Sequence, residues 1–424
     1  MSMSDKFIIK GGKPLEGIVE ITGYKNSAGA CLAASLLTNE EVVLDNLPLV
    51  EDVFKMIKVL ESMGVEVSWL DKRKIKVKAG SGINVEKMNC APVAETRVSV
   101  LLIGSLLSRF GNFKICHPGG DRIGVRPITT HLEALKRLGA KIESEDDFYI
   151  FNGGNLKGKE IVLKEFSVTA TENLMMAAVT TPGKTIIKGA AAEPQIQDLG
   201  FLLKKMGARI AGLGTNTILI EGVERLRGTT HKIIPDLIEA GTFIVAGALV
   251  PGSSLEIRNL IPEYLDIFLD KLEEIGVDLE KGRDFVKVRY SPDLKAARVQ
   301  ALLYPGFPTD LLPIIIPLLT QAEGKSLIHD PLYENRFNYI QELKKMGADI
   351  EVVDPHRAFI YGKTPLKGLR IESWDIRAGA SLVLAALIAN GRTVIENVYQ
   401  IDRGYEKIEE RLAGLGADIK RVNI

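Results

Sequence analysis

Six segments along the chain share one pattern, in which an amphipathic helical stretch meets a glycine and then a short alternation of polar and apolar residues. Neighbouring marker glycines are 68 to 75 residues apart. These glycines are Gly64, Gly139, Gly207, Gly276, Gly347 and Gly416. Because the pattern recurs at a nearly fixed interval, it predicts one supersecondary unit used six times, with each glycine ending a helix before a strand.

A second helical pattern precedes each amphipathic one, and it is apolar on every face. The six stretches are KNSAGACLAASLL, TRVSVLLIGSLL, TENLMMAAVTT, EAGTFIVAGALV, TDLLPIIIPLLT and RAGASLVLAALIA. A helix that is apolar all round is buried, and short strand patterns follow it, so the predicted fold class is α/β. Solenoid repeats are usually shorter, roughly 20–45 residues. We therefore expect two similar halves of three units each, meeting near residues 230–236.

Most of the apolar helices begin with polar or charged residues. These are Lys25 with Asn26, Arg97, Thr171 to Asn173, Glu239, Asp310, and Asp375 with Arg377. A helix N-terminus favours anions, so a cation there makes sense when an anionic ligand lies beside it. Lys25, Arg97 and Arg377 recur at equivalent places in the repeat, which favours an anion-binding site. The alternative at each single position, helix capping with a solvated rim, remains open.

A glycine-rich loop, HPGGDRIGVRP at residues 117–127, holds a further group of charges. Its glycines free the backbone, while Asp121, Arg122 and Arg126 supply the charges. Such a loop suits a lid that closes on a ligand and excludes water. The alternative is an ordinary surface loop.

Composition narrows the class of protein. The 54 basic and 54 acidic side chains cancel, so no overall field favours nucleic acid or an anionic membrane. Three cysteines predict no disulfide framework and favour a reducing compartment, and the five histidines show no metal-ligand spacing. The N-terminus lacks a signal-peptide pattern, and the longest apolar run, at 311–319, is too short to span a bilayer. We expect a soluble, cytoplasmic globular protein without a metal.

Ordered motifs along essentially the whole chain resemble the UDP-N-acetylglucosamine enolpyruvyl transferase family. They are GYKNSA (23–28), RFG (109–111), PGGDRIGVRP (118–127), ATENLMMAAV (170–179), EPQIQDL (193–199), PDLIEAGTF (235–243), YPGFPTD (304–310), ENRF (334–337), DIRAGASLVLA (375–385) and IDRGYE (401–406). The resemblance implies two inside-out α/β domains, each of three repeated βαβαββ-type units, with a cleft between them. One domain would span 24–233, and the other 1–23 plus 234–424.

The activity implied by the resemblance is transfer of the enolpyruvyl group of phosphoenolpyruvate to the 3′-hydroxyl of UDP-N-acetylglucosamine. The reaction releases phosphate, proceeds by addition and then elimination through a tetrahedral phospho-ketal, and is the first committed step of peptidoglycan synthesis. The resemblance implies no organic cofactor and no metal. The implied partners are the two small-molecule substrates, with no nucleic acid, no membrane and no obligate protein partner.

Catalytic roles also follow from the resemblance at matching positions. Lys25 and Asn26 match the residues that contact the two substrates near the reacting centre. Asp310 matches the residue that takes the proton of the 3′-hydroxyl. Arg403 and Asp121 complete the implied catalytic set, with Asp121 at the place of the lid residue that donates a proton to the methylene carbon of phosphoenolpyruvate.

Substrate-binding roles follow in the same way. Arg97, Arg126 and Arg403 match residues that hold phosphoenolpyruvate, with Arg377 beside them, and guanidinium groups bind phosphate and carboxylate in a bidentate manner. The implied lining of the nucleotide-sugar site is Arg126, Pro127, Ile128, Thr129, Thr130, Phe166, Ser167, Val168 and Leu332.

Three positions depart from the usual family pattern. Asp121 stands where the lid cysteine is common, and a carboxylate is a weaker nucleophile than a thiolate, which implies resistance to covalent inactivation by fosfomycin. Tyr24 replaces a small residue, and Leu237 replaces an arginine. The last two leave open a paralogous enolpyruvyl transferase that acts on a different acceptor.

Two further alternatives remain, one with the same fold and one from a different class of function. One is the shikimate-pathway enolpyruvyl transferase of the same fold, whose first motif is closer to GDKS than to GYKNSA. The other is a scaffold-like repeat protein without catalysis, which leaves the combination of Asp310, Asp121 and the matching cations unexplained.

Overall fold

The computed structural model describes residues 5–120 and 126–423, in which helices and short strands alternate. The α-helices are α1 Lys25–Ala34, α2 Glu51–Ser62, α3 Cys90–Glu95, α4 Leu102–Phe110, α5 Thr129–Leu138, α6 Val168–Ala178, α7 Pro194–Lys205, α8 Leu237–Leu249, α9 Asp266–Ile275, α10 Leu312–Leu319, α11 Ile340–Lys345, α12 Ile376–Ile388, α13 Tyr399–Asp402 and α14 Ile408–Gly414. Short 3₁₀ helices cover Ser35–Leu37, Val85–Lys87, Arg97–Leu101, Pro262–Leu265 and Thr309–Leu311. The fold class predicted from the sequence, α/β, is confirmed.

The strands are short and are distributed along the whole described chain. They are β1 Lys6–Lys10, β2 Glu16–Glu20, β3 Glu41–Asp45, β4 Glu66–Asp71, β5 Lys74–Lys78, β6 Asn112–Cys116, β7 Lys141–Ser144, β8 Phe148–Asn152, β9 Glu160–Val162, β10 Lys184–Lys188, β11 Arg209–Ala211, β12 Thr217–Glu221, β13 Thr229–Lys232, β14 Ser254–Arg258, β15 Asp278–Lys281, β16 Phe285–Arg289, β17 Arg298–Gln300, β18 Gly324–His329, β19 Asp349–Asp354, β20 Arg357–Gly362, β21 Arg370–Glu372, β22 Arg392–Glu396 and β23 Asp418–Val422.

The marker glycines end helices, as predicted. Each follows an amphipathic helix, precedes an outer strand and has a positive φ between 91° and 123°. Glycine adopts that conformation without the steric cost of a Cβ. The amphipathic helix of the fifth unit, α11, is only six residues long.

The predicted buried helices are also present. Helices α1, α6, α8, α10 and α12 are buried along almost their whole length, and α4 is buried from Leu102 to Leu107. Several starts differ from the sequence pattern. Helix α6 begins at Val168, capped by Ser167, rather than at Thr171, α8 begins at Leu237 rather than at Glu239, and 3₁₀ helices precede α4 and α10. The cap of α8 is Asp236, whose carboxylate accepts the backbone N–H groups of Ile238 and Glu239.

In the described part of the chain, six small sheets cover these helices. Five have four strands, in the orders β13-β3-β5-β4, β11-β12-β10-β9, β15-β16-β14-β2, β17-β18-β20-β19 and β21-β22-β1-β23, and the sixth is β6-β8-β7. In each four-stranded sheet one parallel pair is extended by antiparallel strands, as in β9 with β10 followed by β12 and β11. This is the βαβαββ unit, with helices inside and sheets outside.

An asparagine in left-handed conformation recurs after three of the equivalent strands. Asn46, Asn259 and Asn397 have φ between 54° and 58°. Each donates its side-chain amide to a carbonyl just beyond the parallel neighbouring strand, those of Ile233, Ile21 and Ser373 respectively, at 2.6–3.0 Å. Asparagine tolerates this conformation better than most residues. The repeat therefore fixes the ends of these three parallel strand pairs with the same side chain.

The described chain divides into two compact units. We call the unit formed by residues 23–120 and 126–234 the N-terminal unit, and the unit formed by residues 5–22 and 235–423 the C-terminal unit. Helices α1, α4 and α6 lie in the first, and α8, α10 and α12 lie in the second. Strand β1 completes the last sheet by pairing with β22 and β23, and β2 pairs with β14.

Cysteine pairing differs from the sequence-based expectation. Cys90, at the start of α3, forms a disulfide with Cys116, at the end of β6, and their Cα atoms are 5.7 Å apart. The expectation of no disulfide was therefore wrong. The pairing was hidden because 26 residues separate the two cysteines and only the packing of α3 beside β6 brings them together.

Among the described residues, every helix is either too short or too polar to cross a lipid bilayer.

Candidate active site

The first turn of α1 presents two of the predicted site residues in the N-terminal unit. A Cβ at Gly23 would lie 1.8 Å from the carbonyl oxygen of Asn46, so only glycine fits immediately before this turn. Lys25 is buried, and its Nζ lies 2.9 Å from Oδ2 of the buried Asp52, in the first turn of α2. Asn26 donates from Nδ2 to the phenol oxygen of Tyr24 at 3.3 Å.

Two predicted arginines converge beside Gly120. A Cβ on Gly120 would lie 2.8 Å from Cβ of Arg97 and 3.4 Å from Nη1 of Arg126. Arg97 begins the 3₁₀ helix that leads into α4, and it donates from Nη2 to the carbonyl of Pro127 at 3.4 Å. Both arginines are partly exposed. The structure therefore places both residues beside Gly120, and the guanidinium group that each carries suits an anionic ligand.

The two segments predicted to line the nucleotide-sugar site lie side by side. Thr130 donates its hydroxyl to Glu165, and His131 Nε2 lies 2.8 Å from Oγ1 of Thr169. Burial lowers the pKa of His131 to about 3, and the charge of Arg97 acts in the same direction. His131 is therefore neutral at pH 7. Residues 126–130 and 166–168 thus share one surface, on which Phe166 is exposed.

Asp310 lies between two arginines in the C-terminal unit. Its Oδ2 accepts from Nε of Arg377 at 3.0 Å, and its Oδ1 accepts from Nη2 of Arg336. Both arginines are almost fully buried, whereas about a third of the Asp310 side chain is exposed. Burial raises the pKa of Asp310, but the charges and hydrogen bonds of Arg377 and Arg336 outweigh it and hold that pKa well below its usual value.

Arg377 is oriented by its surroundings on α12. Asp375 caps the helix by accepting the backbone N–H groups of Arg377 and Ala378, each at 2.8 Å. The guanidinium lies 5.3 Å from the ring centroid of Tyr405, whose hydroxyl lies 2.8 Å from that of Thr242. A cation above an aromatic face is stabilised by the ring quadrupole.

Arg403 and Leu332, the other predicted residues of this unit, lie on short turns. Arg403 follows α13 and donates to Oε1 of Gln400 at 3.0 Å. Leu332 is exposed, and its backbone N–H donates to Oδ1 of Asp330 at 2.9 Å. Oδ2 of Asp330 accepts the hydroxyl of Thr309 at 2.6 Å, which links the Leu332 turn to the residue before Asp310.

Asp121 falls outside the described residues, together with Arg122 and Gly124. The predicted lid therefore has a described stem only, at residues 117–120 and from Arg126 onward. On this stem, the N–H of Gly119 donates to the carbonyl of Val93 in α3 at 3.3 Å.

Comparison with known proteins identifies the family. A family model described as EPSP synthase (3-phosphoshikimate 1-carboxyvinyltransferase) matches residues 9–412. The UDP-N-acetylglucosamine 1-carboxyvinyltransferase of Koribacter versatilis is 46% identical over 421 residues, covering 99% of this chain and 96% of the relative. The chain belongs to the UDP-N-acetylglucosamine 1-carboxyvinyltransferase family.

Other comparisons agree with membership of this carboxyvinyltransferase family, as the sequence motifs predicted. The UDP-N-acetylglucosamine 1-carboxyvinyltransferase 1 of Caldanaerobacter subterraneus is 44% identical over 422 residues, covering 99% of this chain and 100% of the relative. The crystal structure of the enolpyruvyl transferase NikO from Streptomyces tendae is similar over 100% of both chains, with a TM-score of 0.90 and 26% identity. An EPSP synthase from Acinetobacter baumannii, at 20% identity and a TM-score of 0.74 over 99% of this chain and 100% of that chain, shows the same fold.

Three residues that support the candidate site of this carboxyvinyltransferase were not predicted from the sequence. Arg336 contacts Asp310, Asp52 contacts Lys25, and Asp330 connects the Leu332 turn to Thr309. The ENRF motif contains Arg336, which was the one available signal. No signal in the sequence pointed to Asp52 and Asp330, because the residues that they contact are distant in sequence.

A buried polar group near α1 superficially resembles a metal site. One ligand atom each from Cys31, Asp198 and His231 lie within 4.8 Å of one another. However, burial first, then the charge of Asp198, raises the pKa of the Cys31 thiol well above its usual value. Asp198 already accepts from His231 at 2.8 Å and from Ser27. In this structure the carboxylate of Asp198 joins His231 and Ser27 in one buried hydrogen-bond network beside Cys31.

Proposed function

We propose that the chain transfers the enolpyruvyl group of phosphoenolpyruvate to the 3′-hydroxyl of UDP-N-acetylglucosamine and releases phosphate. The observation that carries the proposal is 46% identity, over 99% of the chain, to a relative with this name. The proposed course is addition to a tetrahedral phospho-ketal followed by elimination, as the first committed step of peptidoglycan synthesis. Both substrates are anions, in keeping with the cations of the candidate site.

In the N-terminal unit, the cationic side chains bind phosphoenolpyruvate in the proposed mechanism. The convergence of Arg97 and Arg126 beside Gly120 supports this role, because guanidinium groups match the geometry of phosphate and carboxylate. Lys25 contributes a positive charge whose position is fixed by Asp52. Asn26 contacts the acceptor. Residues 126–130 and 166–168 bind the nucleotide-sugar, with Leu332 of the C-terminal unit.

In the C-terminal unit, the proposal makes Asp310 the base that takes the proton of the 3′-hydroxyl. Its lowered pKa supports this in one respect, since the carboxylate is ionised at neutral pH and ready to accept a proton. The same two arginines weaken it as a base. A substrate anion that attracts the charge of Arg377 raises the pKa of Asp310 and strengthens the base when the substrate is bound. Arg403 acts with Arg377 on the anionic substrate.

The remaining parts of the proposal concern Asp121, the domain limits and the location. Asp121 donates the proton to the methylene carbon of phosphoenolpyruvate. The domains span 24–233 and 1–23 plus 234–424, which the division of the chain into compact units after residues 22 and 234 supports. The reaction takes place in the cytoplasm, without a nucleic acid, membrane or obligate protein partner.

Phosphate release is the test of this function. The chain is incubated with phosphoenolpyruvate and either UDP-N-acetylglucosamine or shikimate 3-phosphate, and phosphate is followed with time. We expect release with the first acceptor only. Asp310→Ala should lower turnover by at least about 10²-fold, in line with general-base contributions, while UDP-N-acetylglucosamine binding, measured by calorimetry, is largely retained. Release with shikimate 3-phosphate alone contradicts the proposal, and near-wild-type turnover of Asp310→Ala contradicts the role of Asp310.

A further inference from the structure

Asn26 is the residue of α1 that is not buried. The other nine residues of this helix pack inside the N-terminal unit, and Lys25 beside it is buried against Asp52. The side-chain amide of Asn26 is therefore the polar group that this helix exposes at its N-terminal end. An amide has one accepting oxygen and one donating nitrogen, so its orientation determines which substrate groups it recognises.

Tyr24 is held rigidly at the position that precedes this helix. Its backbone N–H donates to the carbonyl of Ile234 at 2.7 Å, its own carbonyl accepts the N–H of Ala28 at 2.9 Å, and its side chain is 4% exposed. This N-cap position usually holds a short side chain that accepts a helix N–H. Tyr24 makes no such side-chain hydrogen bond. Its phenol oxygen instead lies 3.3 Å from Nδ2 of Asn26.

We propose that Tyr24 is a positioning residue, which fixes the orientation of the Asn26 amide toward the acceptor substrate. The inference rests on the proposed function. With Nδ2 donating to the buried phenol, Oδ1 is the amide atom left to accept a hydrogen bond from substrate. Oδ1 therefore selects a hydrogen-bond donor on the sugar substrate, either a hydroxyl or an amide N–H. UDP-N-acetylglucosamine carries both on its sugar ring.

The role of Tyr24 can be distinguished from phosphoenolpyruvate binding because Lys25 has its own partner. Its Nζ is held by Asp52 through the contact at 2.9 Å. We expect loss of the phenol hydroxyl to release Asn26 while the ion pair between Lys25 and Asp52 stays in place. The kinetic effect should fall on the KM of the acceptor and not on the KM of phosphoenolpyruvate.

The test is a double-mutant cycle with Tyr24→Phe, Asn26→Ala and the combined variant. We expect Tyr24→Phe to raise the KM of UDP-N-acetylglucosamine by about 3- to 10-fold, the range of one hydrogen bond, and to change the KM of phosphoenolpyruvate less than about 2-fold. In the Asn26→Ala background the same substitution should have no further effect. Tyr361→Phe, which removes a phenol bond to Glu351 on an exposed strand pair, is the matched control and should change neither KM.

Asn26→Asp tests the orientation itself. A carboxylate only accepts, so with Tyr24 present it still offers an outward oxygen to the acceptor. We expect this variant to keep the KM of UDP-N-acetylglucosamine closer to wild type than Asn26→Ala does. Equal losses in Asn26→Asp and Asn26→Ala mean that the nitrogen faces the substrate, which overturns the inference.

Two other outcomes would overturn the inference about Tyr24 and leave the proposed function unaffected. They are independent, additive effects of Tyr24→Phe and Asn26→Ala, and a rise in both KM values together. Wild-type turnover with UDP-N-acetylglucosamine tests the proposed function alone. If that turnover is absent, the Kd of UDP-N-acetylglucosamine is compared by calorimetry for the same variants, and identical values, or no binding, overturn the inference.

Discussion

At the scale of single residues, the charge of Asp310 is set by two buried guanidinium groups. Arg377 and Arg336 hold its pKa well below the usual value against the effect of burial. In Arg336→Gln one of these charges is lost, so the pKa of Asp310 rises. The acidic limb of kcat/KM, which reports a base of the free enzyme, should then move to higher pH by about one unit or more.

Arg336→Lys is the matched control for this prediction, because it retains the positive charge and loses only the geometry of the guanidinium. Its acidic limb should stay close to that of the wild type. An acidic limb that is unchanged in Arg336→Gln would show that Arg336 does not control the ionisation of Asp310.

The pKa of Asp236 is shifted in the direction opposite to that of Asp310, and this shift affects the pH dependence of stability. Burial first raises its pKa to about 6 in the folded protein, partly opposed by Arg377, from an ordinary value of 3.8. A raised pKa means that its contribution to stability is full below about pH 4 and is lost as the pH rises to about 6. Relative to wild type, Asp236→Asn should become more stable across that interval, by up to about 3 kcal/mol at pH 7 for a shift of about two pKa units.

The urea midpoints of both proteins between pH 4 and pH 7 check this prediction. Asparagine also caps helices well, so α8 should keep its start in the variant. A difference between the two midpoints that does not vary with pH would contradict a raised pKa at Asp236.

Some candidate site residues could be predicted from a local sequence pattern, and others could not. Lys25, Arg97, Asp310 and Arg377 were predictable, because a charge at the start of an apolar helix stands out in the sequence. Partners such as Asp52 and Asp330 were not. Their carboxylates lie at ordinary positions in the sequence and acquire a role only when folding brings a distant residue to them.

At the scale of elements, close helix crossings depend on glycine. The N–H of Gly104 in α4 donates to Oδ1 of Asn173 in α6 at 2.6 Å. A Cβ on Gly104 would lie 2.3 Å from the backbone oxygen of Asn173 and 2.8 Å from its Cα. Gly104→Ala should therefore destabilise the protein by about 1–3 kcal/mol, the usual cost of overpacking.

Gly414 in α14 is the matched control for Gly104. A Cβ there would meet no atom within 4 Å, and its φ is not positive. Gly414→Ala should stabilise the chain by about 0.5–1 kcal/mol through lower flexibility of the unfolded state. Thermal unfolding of the two variants compares the effects directly, and a Gly104→Ala variant as stable as wild type would argue against the tight crossing of α4 and α6.

Periodicity predicted the long elements well and the short ones poorly. The buried helices stand out as long apolar runs. Most of the amphipathic helices have enough residues for an apolar face to recur, and positive-φ glycines mark their ends. Helices such as α3 and α13 are too short for such a pattern, and the 3₁₀ helices of Arg97–Leu101 and Thr309–Leu311 looked like parts of the longer ones. The strand β1 completes a sheet whose other strands lie near the opposite end of the sequence, which local patterns do not reveal.

At the scale of the whole molecule, one βαβαββ unit is repeated to form both compact units, and the charges at helix starts differ between repeats. The fold is shared with NikO and with an EPSP synthase at low sequence identity. Function therefore depends on individual residues placed on the common framework. The repeat predicted an α/β fold with two halves of three units, whereas the inside-out arrangement was implied by the ordered motifs, and the choice of acceptor required those motifs and the 46% identical relative.

The central claim is that this chain attaches an enolpyruvyl group to UDP-N-acetylglucosamine. The most direct measurement is mass spectrometry of the sugar nucleotide after incubation with phosphoenolpyruvate and the protein, with phosphate measured in the same sample. We predict a product heavier by one enolpyruvyl group in place of hydrogen, formed in equal amount to the phosphate released. Unchanged UDP-N-acetylglucosamine in the presence of active, folded protein, or phosphate released without the heavier product, would contradict the claim.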